Sequence, residues 1–475
     1  MTLTKFRDVL QSASLDTLRS AVIGEGTMIP GLDGEVPLVY ADYVASGRAM
    51  RPVEDFVTAH VLPFYANSHT ETSFCGAYTT ALREEARAEI ARLTGASGDD
   101  AVIFAGSGAT AGLNRLVGLL GVNEAENPVV LIGPYEHHSN ILPWRESAAH
   151  VVEIPEGADG GPDMGALRAA LAGHAGADLL IGSFSAASNV TGILTDTDAV
   201  TRLLKAHGAL AVWDYAGAGP YVPIDMGHGT DAQKDAVAVS AHKFPGGPGA
   251  SGVLIVNKAA VRRARPTWPG GGTVSFVSPW RHDYLDDIEA REEAGTPNVI
   301  GDIRAALAFM VKDAIGTETI AATERRYNSM AMDGWGDNPH LTLLGVDKPH
   351  RLPVFSFLVR DEAGELVDEQ LFTQMLSDLY GIQARGGCAC AGPYGHRLLG
   401  IDRAVSDRLR DELLAGNDEH KPGWVRLNFS YMMDEARVRY VIGAVNELSH
   451  RFAGHARRYA SLQAAAMSRG RHDAA

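Results

Sequence analysis

Cysteine is scarce in this sequence of 475 residues, which contains only Cys75, Cys388 and Cys390. Three thiols, two of them separated by a single residue, cannot form a disulfide framework, so we expect a reducing, cytoplasmic location. Long apolar runs are also missing, which argues against a membrane span. The first residues lack the apolar core of a secretory signal.

Positive charge is the other deficit. The sequence has 42 lysine and arginine residues against 58 aspartate and glutamate residues, a formal net charge of −16. Nucleic acids and anionic membrane surfaces are bound through basic surfaces, so both are disfavoured as partners. A small anionic ligand needs only a local positive field, and a site for one remains compatible with this composition.

The pattern of apolar residues predicts an α/β fold. Between residues 39 and 260, short apolar runs alternate with helix-like stretches, as in a doubly wound parallel sheet. The candidate strands are residues 101–105, 129–133, 179–184, 210–214 and 236–240, and the candidate helices are residues 109–120, 164–171 and 196–207. Polar residues follow several of these strands, at the sheet edge where ligands bind in such folds.

The length of the chain predicts more than one domain, because a single core rarely grows to this size. We expect a large domain at residues 39–300 and a smaller α+β domain at residues 301–475. An N-terminal arm, residues 1–38, is expected to pack with the small domain.

A lysine lies at the end of one candidate strand. Residues 237–239 are apolar, and they lead through Ser240 and His242 to Lys243, in a loop rich in glycine and proline. Burial there would lower the pKa of the lysine and make its amine nucleophilic. A solvated loop lysine is the alternative interpretation of this short motif.

An aspartate ends the strand before it. Asp214 lies 29 residues before Lys243, and a carboxylate beside a lysine suits a cationic ring nitrogen such as the pyridinium of pyridoxal 5′-phosphate (PLP). An ordinary helix-capping or turn aspartate would look the same in sequence.

A glycine-rich turn follows the first candidate strand. Gly106-Ser107-Gly108 leads through Ala109 and Thr110 into a helix, so free N–H groups and the helix dipole would converge on an anion such as phosphate. The segment lacks the Lys-Ser/Thr of a P-loop and the glycine spacing of a dinucleotide loop. A tight turn without a ligand is the alternative.

Two more polar groups follow candidate strands. His137 could stack on a pyridine ring, with its neighbour His138 as the second choice, and Asn189 could bind the phenolic oxygen of that ring. Adjacent histidines could also be part of a metal site, but no third ligand stands at a suitable spacing, so no metal is predicted.

In their order and approximate spacing, these segments resemble the class V aminotransferase family of fold-type I PLP enzymes. The likeness is to cysteine desulfurases, selenocysteine lyases and the desulfurase domain of molybdenum cofactor sulfurases. It runs from Tyr40-Ala41-Asp42 through residues 293–298 to Val425-Arg426-Leu427, and so covers most of the chain. The resemblance implies a fold-type I PLP-dependent transferase and PLP as the cofactor.

The resemblance also implies roles for individual residues. Lys243 would carry the Schiff base, Asp214 would contact the pyridinium and His137 would stack on the ring. Arg426, helped by Arg385, would bind the carboxylate of an amino-acid substrate. The phosphate would be surrounded by Gly108, Ala109, Thr110, Ser240 and His242, with Thr296 reaching the phosphate of the other subunit in a homodimer that shares its active sites.

The chain departs from the family pattern at Gly217. The family commonly has glutamine there, three residues after the pyridinium aspartate, to bind the phenolic oxygen of the cofactor. Glycine cannot form that bond, so water, Tyr215 or a substrate group would have to replace it. This departure bears on the reaction more than on the cofactor.

A C-x-C loop decides the expected reaction. Cys390 lies five residues after Arg385, where the nucleophilic cysteine of compact desulfurases lies, and four nearby glycines and the arginine would favour a mobile thiolate. An inert thiol pair is the alternative. A zinc site formed by Cys388, Cys390 and His396 lacks a clear fourth ligand.

We therefore expect a cysteine desulfurase-like sulfurtransferase or lyase. It would take sulfur or selenium from L-cysteine or selenocysteine as a persulfide on Cys390, release alanine, and pass the sulfur to an acceptor protein or small thiol. A C–S β-lyase, transaminase or epimerase acting on a larger amino acid is the alternative, which Gly217 and the insert at residues 397–423 favour.

Overall fold

The computed structural model of this protein describes residues 2–68, 71–418 and 421–461. Met1 of the predicted arm, residues 419–420 of the insert and residues 462–475 of the predicted small domain lie outside the described residues. Among the described residues, no helix combines the length and the apolar character needed to cross a lipid bilayer.

The α-helices of the described residues are spread along the whole chain. Several begin at an aspartate whose side chain accepts a hydrogen bond from the backbone of the first turn, as Asp163, Asp196 and Asp368 do. In chain order the helices are α1 (Thr2–Gln11), α2 (Leu15–Ser20), α3 (Arg51–Phe56), α4 (Phe74–Leu93), α5 (Gly108–Leu119), α6 (Leu142–Arg145), α7 (Met164–Gly173), α8 (Thr197–Ala206), α9 (Ile288–Glu292), α10 (Val299–Ile315), α11 (Thr317–Trp335), α12 (Glu369–Tyr380), α13 (Gly392–Leu398), α14 (Arg403–Leu414) and α15 (Glu435–His450).

The strands form one large sheet and several smaller ones. In chain order they are β1 (Met28–Gly31), β2 (Gly34–Pro37), β3 (Val39–Tyr40), β4 (Asp100–Gly106), β5 (Pro128–Ile132), β6 (His150–Glu153), β7 (Leu179–Ser185), β8 (Leu210–Asp214), β9 (Ala236–Val239), β10 (Gly252–Asn257), β11 (Val274–Val277), β12 (His282–Tyr284), β13 (Leu341–Leu343), β14 (Val354–Val359), β15 (Ile382–Gln383), β16 (Arg385–Gly387) and β17 (Trp424–Asn428). The large sheet has the order β4-β10-β9-β8-β7-β5-β6, and only β10 runs antiparallel to its neighbours.

The large sheet confirms the predicted α/β class. All five candidate strands are present, with bounds that differ by at most one residue at either end. Strands β6 and β10 were not predicted from the sequence. The first is short and half-exposed, and the second is a buried apolar run whose antiparallel direction no local pattern reveals.

The core lies on both faces of the large sheet. Alternate residues of each strand point to opposite faces, so Ile103 and Val212 pack in one apolar cluster whereas Val102 and Trp213 pack in another. Burial on both faces explains why these strands are apolar throughout instead of alternating with polar residues.

A second sheet, β13-β14-β17-β16, positions the residues that were expected to bind a carboxylate. The antiparallel register of β16 and β17 sets Arg385 directly opposite Arg426. Just before β16, β15 pairs with β3, which brings the chain after Tyr40 to the same place. Strands β3 and β15 belong to different predicted domains, and the predicted division into arm, large domain and small domain stays a prediction.

Candidate active site

The carboxyl ends of three neighbouring strands meet at one edge of the large sheet. Ser185 ends β7, Asp214 ends β8, and the register pairs these two residues side by side. Ser240 follows β9, the next strand across. The topology therefore gathers residues that are far apart in the sequence, as the strand-end pattern predicted.

A cavity of about 230 Å³ opens at this edge. Most of the predicted site residues line it, and it also contains Ser107, Ser139, Ser185 and Gly217. The predicted residues in its wall are Ala109, Thr110, His137, Asn189, Asp214, Ser240, His242, Lys243, Arg385, Cys390 and Arg426. Two predicted residues are not in the wall: Gly108 lies behind it, and Thr296 is exposed elsewhere on the surface.

Lys243 ends a short 3-10 helix, Ala241–Lys243, that follows β9. Burial lowers the pKa of its amine to about 8, and the nearby Asp214 carboxylate offsets part of that effect. An amine with this pKa is partly neutral near neutral pH, which is the state that attacks an aldehyde. Lys243 is therefore buried with a lowered pKa, as expected, and its role as the Schiff-base lysine stays a prediction.

Asp214 is buried at the end of β8, and its Oδ1 accepts a hydrogen bond of 2.7 Å from the backbone N–H of Ala216. Burial raises the pKa of its carboxyl, whereas that hydrogen bond and Lys243 lower it. A buried carboxylate gains most from a cationic partner, so a ring nitrogen that keeps its proton would fit here.

A second carboxyl group, which the sequence analysis did not single out, lies behind Asp214. Glu136 accepts hydrogen bonds from the backbone N–H of Ser185 at 2.8 Å, from the Ser185 hydroxyl at 2.5 Å and from Asn140 Nδ2 at 2.6 Å. Burial raises the pKa of Glu136 to about 7. Since Ser185 stands opposite Asp214, this network ties the His137 segment to the end of β8.

His137 has a defined tautomer when it is neutral. Its Nδ1 accepts a hydrogen bond of 3.1 Å from the backbone N–H of Ser139, so the proton of the neutral ring lies on Nε2. Burial lowers the pKa of His137 to about 4, with a further contribution from Lys243. The imidazole is therefore uncharged at neutral pH and suited to stacking on an aromatic ring.

The glycine-rich turn packs closely against Ser240 and His242. Gly108 begins α5 with φ of 61°, and a Cβ there would lie 2.8 Å from Ser240 Oγ and 2.9 Å from the His242 ring, so only glycine fits. The Ser240 hydroxyl accepts a hydrogen bond of 2.9 Å from the N–H of Ala109. Burial lowers the pKa of His242 to about 4.

Arg426 is 3% exposed and has a partner that the sequence analysis did not assign. Its Nη2 donates to Asp42 Oδ1 at 2.9 Å, and its Nη1 donates to the backbone carbonyl of Asn189 at 3.1 Å. Arg385 Nε donates a hydrogen bond of 3.0 Å to the other oxygen of Asp42, Oδ2, and Arg385 Nη2 lies 2.9 Å from the same oxygen. One buried carboxylate thus holds both arginines.

The C-x-C loop is held by two side chains from the sheet edge. Asn189 Nδ2 donates to the carbonyl of Ala389 at 2.7 Å, and the backbone N–H of His138 donates to the carbonyl of Cys390 at 2.9 Å. His138 Nε2 also accepts a hydrogen bond of 2.9 Å from the N–H of Gly392. His138, named as a second choice for stacking, therefore fixes the loop.

The two cysteines of this loop differ in their surroundings. Cys390 is exposed and lines the cavity, whereas Cys388 is half-buried and packs against an apolar cluster that includes Trp424. Ala389 and Cys390 both have positive φ, at 53° and 55°, which is uncommon for residues with a side chain. Both ring nitrogens of His396 are hydrogen-bonded, Nδ1 to the Gly392 carbonyl and Nε2 to the Ser406 hydroxyl.

Gly217 leaves open space in the cavity wall. A Cβ there would lie 3.4 Å from the nearest atom, the Ala187 carbonyl, which is an ordinary contact. Tyr215, considered as a replacement for the missing glutamine, is buried, and its hydroxyl faces Thr197 at 3.5 Å. The Tyr215 hydroxyl therefore does not point into the cavity and does not replace the missing glutamine.

The residues of the cavity fit PLP. Ser107, Ala109 and Thr110 of the glycine-rich turn line the cavity, Asp214 offers a buried carboxylate and Lys243 an amine of lowered pKa. Two buried polar atoms in the wall, Asn189 Oδ1 and Arg426 Nε, have no hydrogen-bond partner among the described residues. Buried polar groups are seldom left unsatisfied, so these atoms indicate a polar ligand.

Comparisons with known proteins identify the family of this chain. The aminotransferase class-V family model matches residues 39–440. A probable cysteine desulfurase of Halalkalibacterium halodurans is 28% identical, over 77% of this chain and 88% of that protein. A cysteine desulfurase of Pectobacterium atrosepticum is 30% identical, over 75% of this chain and 85% of that protein.

The solved structures point to the same fold. The crystal structure of the cysteine desulfurase CsdA from Escherichia coli matches with a TM-score of 0.71 and 22% identity, covering 92% of this chain and 98% of that chain. This chain belongs to the aminotransferase class-V family and has its fold-type I architecture. Within that family it is a PLP-dependent enzyme of the cysteine desulfurase-like type.

Proposed function

We propose that this enzyme removes sulfur or selenium from L-cysteine or selenocysteine, leaving alanine and a persulfide on Cys390. The observation that carries the proposal is the position of Cys390, whose exposed thiol lines the same cavity as Lys243 and Arg426. A nucleophilic thiol, a base of lowered pKa and a carboxylate-binding cation are the groups this reaction needs.

Lys243, Asp214 and Arg426 have separate roles in binding the cofactor and the substrate. PLP, held by Lys243 and Asp214 with its phosphate at the Gly108 turn, supplies an electron sink when bound. Arg426 binds the substrate carboxylate, and its unpartnered Nε is a donor for it. Lys243, once its amine is free, takes the proton from the substrate Cα.

Cys390 carries the sulfur chemistry. Its thiolate attacks the substrate sulfur, an S–S bond forms, and the substrate C–S bond breaks with its electron pair remaining on carbon. Protonation of that carbon and return of the proton from Lys243 to Cα give alanine, so one cysteine and the Cys390 thiol yield one alanine and one persulfide. The Cys390 thiol is exposed and lines the cavity, so an acceptor can reach it.

A matched pair of variants tests the proposal. Cys390→Ser should abolish sulfide and alanine formation from L-cysteine while keeping the visible absorbance of the lysine-bound cofactor. Cys388→Ser should keep most of the activity, because its thiol packs in an apolar cluster. Mass analysis of the 385–397 peptide should find one added sulfur atom in the wild type. Turnover by Cys390→Ser would contradict the persulfide role.

The space at Gly217 favours a second candidate function. A cavity wall without a side chain there leaves room for a larger amino acid, on which the enzyme would act as a C–S β-lyase, transaminase or epimerase. Product analysis separates the candidates: alanine indicates desulfuration, pyruvate indicates β-elimination, and other keto acids indicate transamination.

We also propose a homodimer with shared active sites. Support comes from exposed apolar side chains in the segment that precedes Thr296, where Trp268 is 69% and Trp280 is 89% exposed, with Val277 between them. A patch of this kind usually contacts another protein surface. Sedimentation should give a dimer, and Thr296→Ala should weaken PLP binding if that residue reaches the partner's phosphate.

A sulfur acceptor and a reducing location complete the proposal. The persulfide would pass from the exposed Cys390 to an acceptor protein or a small thiol, and free thiols persist in a reducing cytoplasm. Single-turnover transfer of labelled sulfur to a small thiol such as dithiothreitol tests the transfer step.

A further inference from the structure

The carboxylate of Asp42 and the guanidinium groups of Arg426 and Arg385 form one charged cluster at the cavity wall, here called the Asp42 cluster. Asp42 is 8% exposed and does not itself line the cavity, whereas both arginines do. The carboxylate is therefore screened from a ligand by the two side chains that it holds.

The hydrogen bonds of the Asp42 cluster limit how a ligand can use Arg426. A guanidinium has five N–H donors. Arg426 uses one Nη2–H to donate to Asp42 and one Nη1–H to donate to the Asn189 carbonyl. Three donors remain, including the unpartnered Nε, which is enough for a single carboxylate.

The net charge of the Asp42 cluster also limits the ligand to one carboxylate. Two guanidinium groups and one carboxylate leave the cluster with a net charge of about +1, which one carboxylate group of a ligand neutralises. The other charged side chains in the wall are Lys243 and Asp214, which the cofactor would engage, since burial lowers the pKa of His137 and His242 to about 4 and leaves both uncharged. A second carboxylate of the ligand would have no cation to meet.

We propose that Asp42 makes the site select against amino acids with a second carboxylate, by neutralising one of the two arginines that would otherwise attract it. Asp42 is a positioning residue, because it acts through Arg426 and Arg385. The inference rests on the proposed function only in taking an amino acid as the ligand.

The structure explains why these three residues meet. Strand β3 delivers Asp42 beside β15, and the register of β16 and β17 sets the two arginines opposite each other. The half-exposed Arg385 would be free to swing toward a ligand if Asp42 did not accept from it. Removing only the charge of Asp42 should therefore change selectivity.

An isosteric pair of ligands gives the sharpest test. L-Aspartate and L-asparagine differ by one negative charge at nearly the same volume, and their dissociation constants for the holoenzyme can be measured from changes in the cofactor absorbance. The wild type should prefer asparagine. The ratio of the two constants compares two ligands on one protein, so a partly misfolded variant does not distort it.

Two isosteric or near-isosteric variants shift the cluster charge in opposite directions. Asp42→Asn raises the cluster charge by one unit. It should shift the ratio of the two dissociation constants by roughly 10-fold in favour of aspartate binding, which is the effect of one charge near a protein surface. Arg385→Gln lowers the cluster charge by one unit and should shift the ratio of the two dissociation constants further in favour of asparagine binding. Added salt should shrink both shifts.

The outcomes separate this inference from the proposed function. Opposite shifts of the ratio in the two variants support the inference even if cysteine yields no alanine, which would count against the proposed function alone. Alanine formation with an unchanged ratio in Asp42→Asn, or shifts of the same sign in both variants, would overturn the inference. If Asp42→Asn does not fold, Arg385→Gln still decides, because an unchanged ratio there contradicts the charge argument.

Discussion

His138 accepts a hydrogen bond of 2.9 Å at Nε2 from the backbone N–H of Gly392, at the far end of the C-x-C loop. The backbone N–H of His138 also donates to the carbonyl of Cys390, so one residue in the segment after β5 holds the loop at two points. The side-chain bond requires a ring whose Nε2 carries no proton. Burial lowers the pKa of His138, which favours the neutral ring that can accept this bond.

His138→Ala should therefore loosen the loop without disturbing the cofactor. Loss of a hydrogen bond of this kind costs about 1 kcal/mol, so exchange of the Gly392 amide should rise severalfold. Sulfur turnover should fall while the cofactor spectrum stays unchanged. Hydrogen-exchange mass spectrometry of the loop measures the first effect, and His138→Gln, which keeps an acceptor, serves as the control. Unchanged exchange in His138→Ala would contradict the role of the ring.

The pKa of Lys243 gives a prediction for reconstitution with PLP. Its pKa is lowered to about 8 by burial, so the neutral amine becomes dominant as pH rises through that value. The rate at which the apoenzyme forms the visible band with added PLP should rise with pH and level off above about 8. Asp214→Asn removes a charge that raises the pKa of Lys243 and should shift the midpoint to lower pH. A midpoint near 10 in the wild type would contradict the effect of burial.

Chemical patterns in the sequence predicted most of the cavity wall. Strand-end polar residues such as Asp214 and Lys243 could be placed because the carboxyl ends of parallel strands share one edge. The cavity then contains them together, along with Asn189 and His137. The fold class followed from the same strand and helix alternation.

Long-range partners could not be predicted in this way. Asp42 is 384 residues from Arg426 in the sequence, and they meet because β3 pairs with β15 and the Ala41 carbonyl accepts a hydrogen bond from the N–H of Asn428 in β17. The role of His138 depends on a backbone N–H 254 residues away. The Tyr40-Ala41-Asp42 segment was noticed as part of the family resemblance, but neither hydrophobic periodicity nor spacing indicates which side chain an aspartate will hold.

Glu136 should make stability depend on pH. Its pKa rises from an ordinary 4.5 to about 7 in the folded protein because of burial, so folding favours the protonated form. Its contribution is fully present below pH 4.5 and is lost as pH rises through about 7, by about 3 kcal/mol in total. Glu136→Gln stays uncharged, so the stability of that variant relative to the wild type should improve between pH 5 and pH 8. Denaturant melts of both proteins at each pH measure this, and a constant difference would contradict it.

Gly217→Gln tests how the open wall affects substrate size. The backbone at Gly217 has no positive φ, and a Cβ would meet only an ordinary contact, so the variant should fold with a stability change within about 0.5 kcal/mol. The longer side chain would occupy part of a cavity of about 230 Å³. Binding of a large amino acid such as L-methionine should weaken more than binding of L-alanine, as measured by the cofactor absorbance. Ala216→Ser, which adds one atom to the same wall, is the matched control and should change the two affinities little. Equal weakening of both ligands by Gly217→Gln would mean that the open space does not select for size, and that a larger substrate has no support from this position.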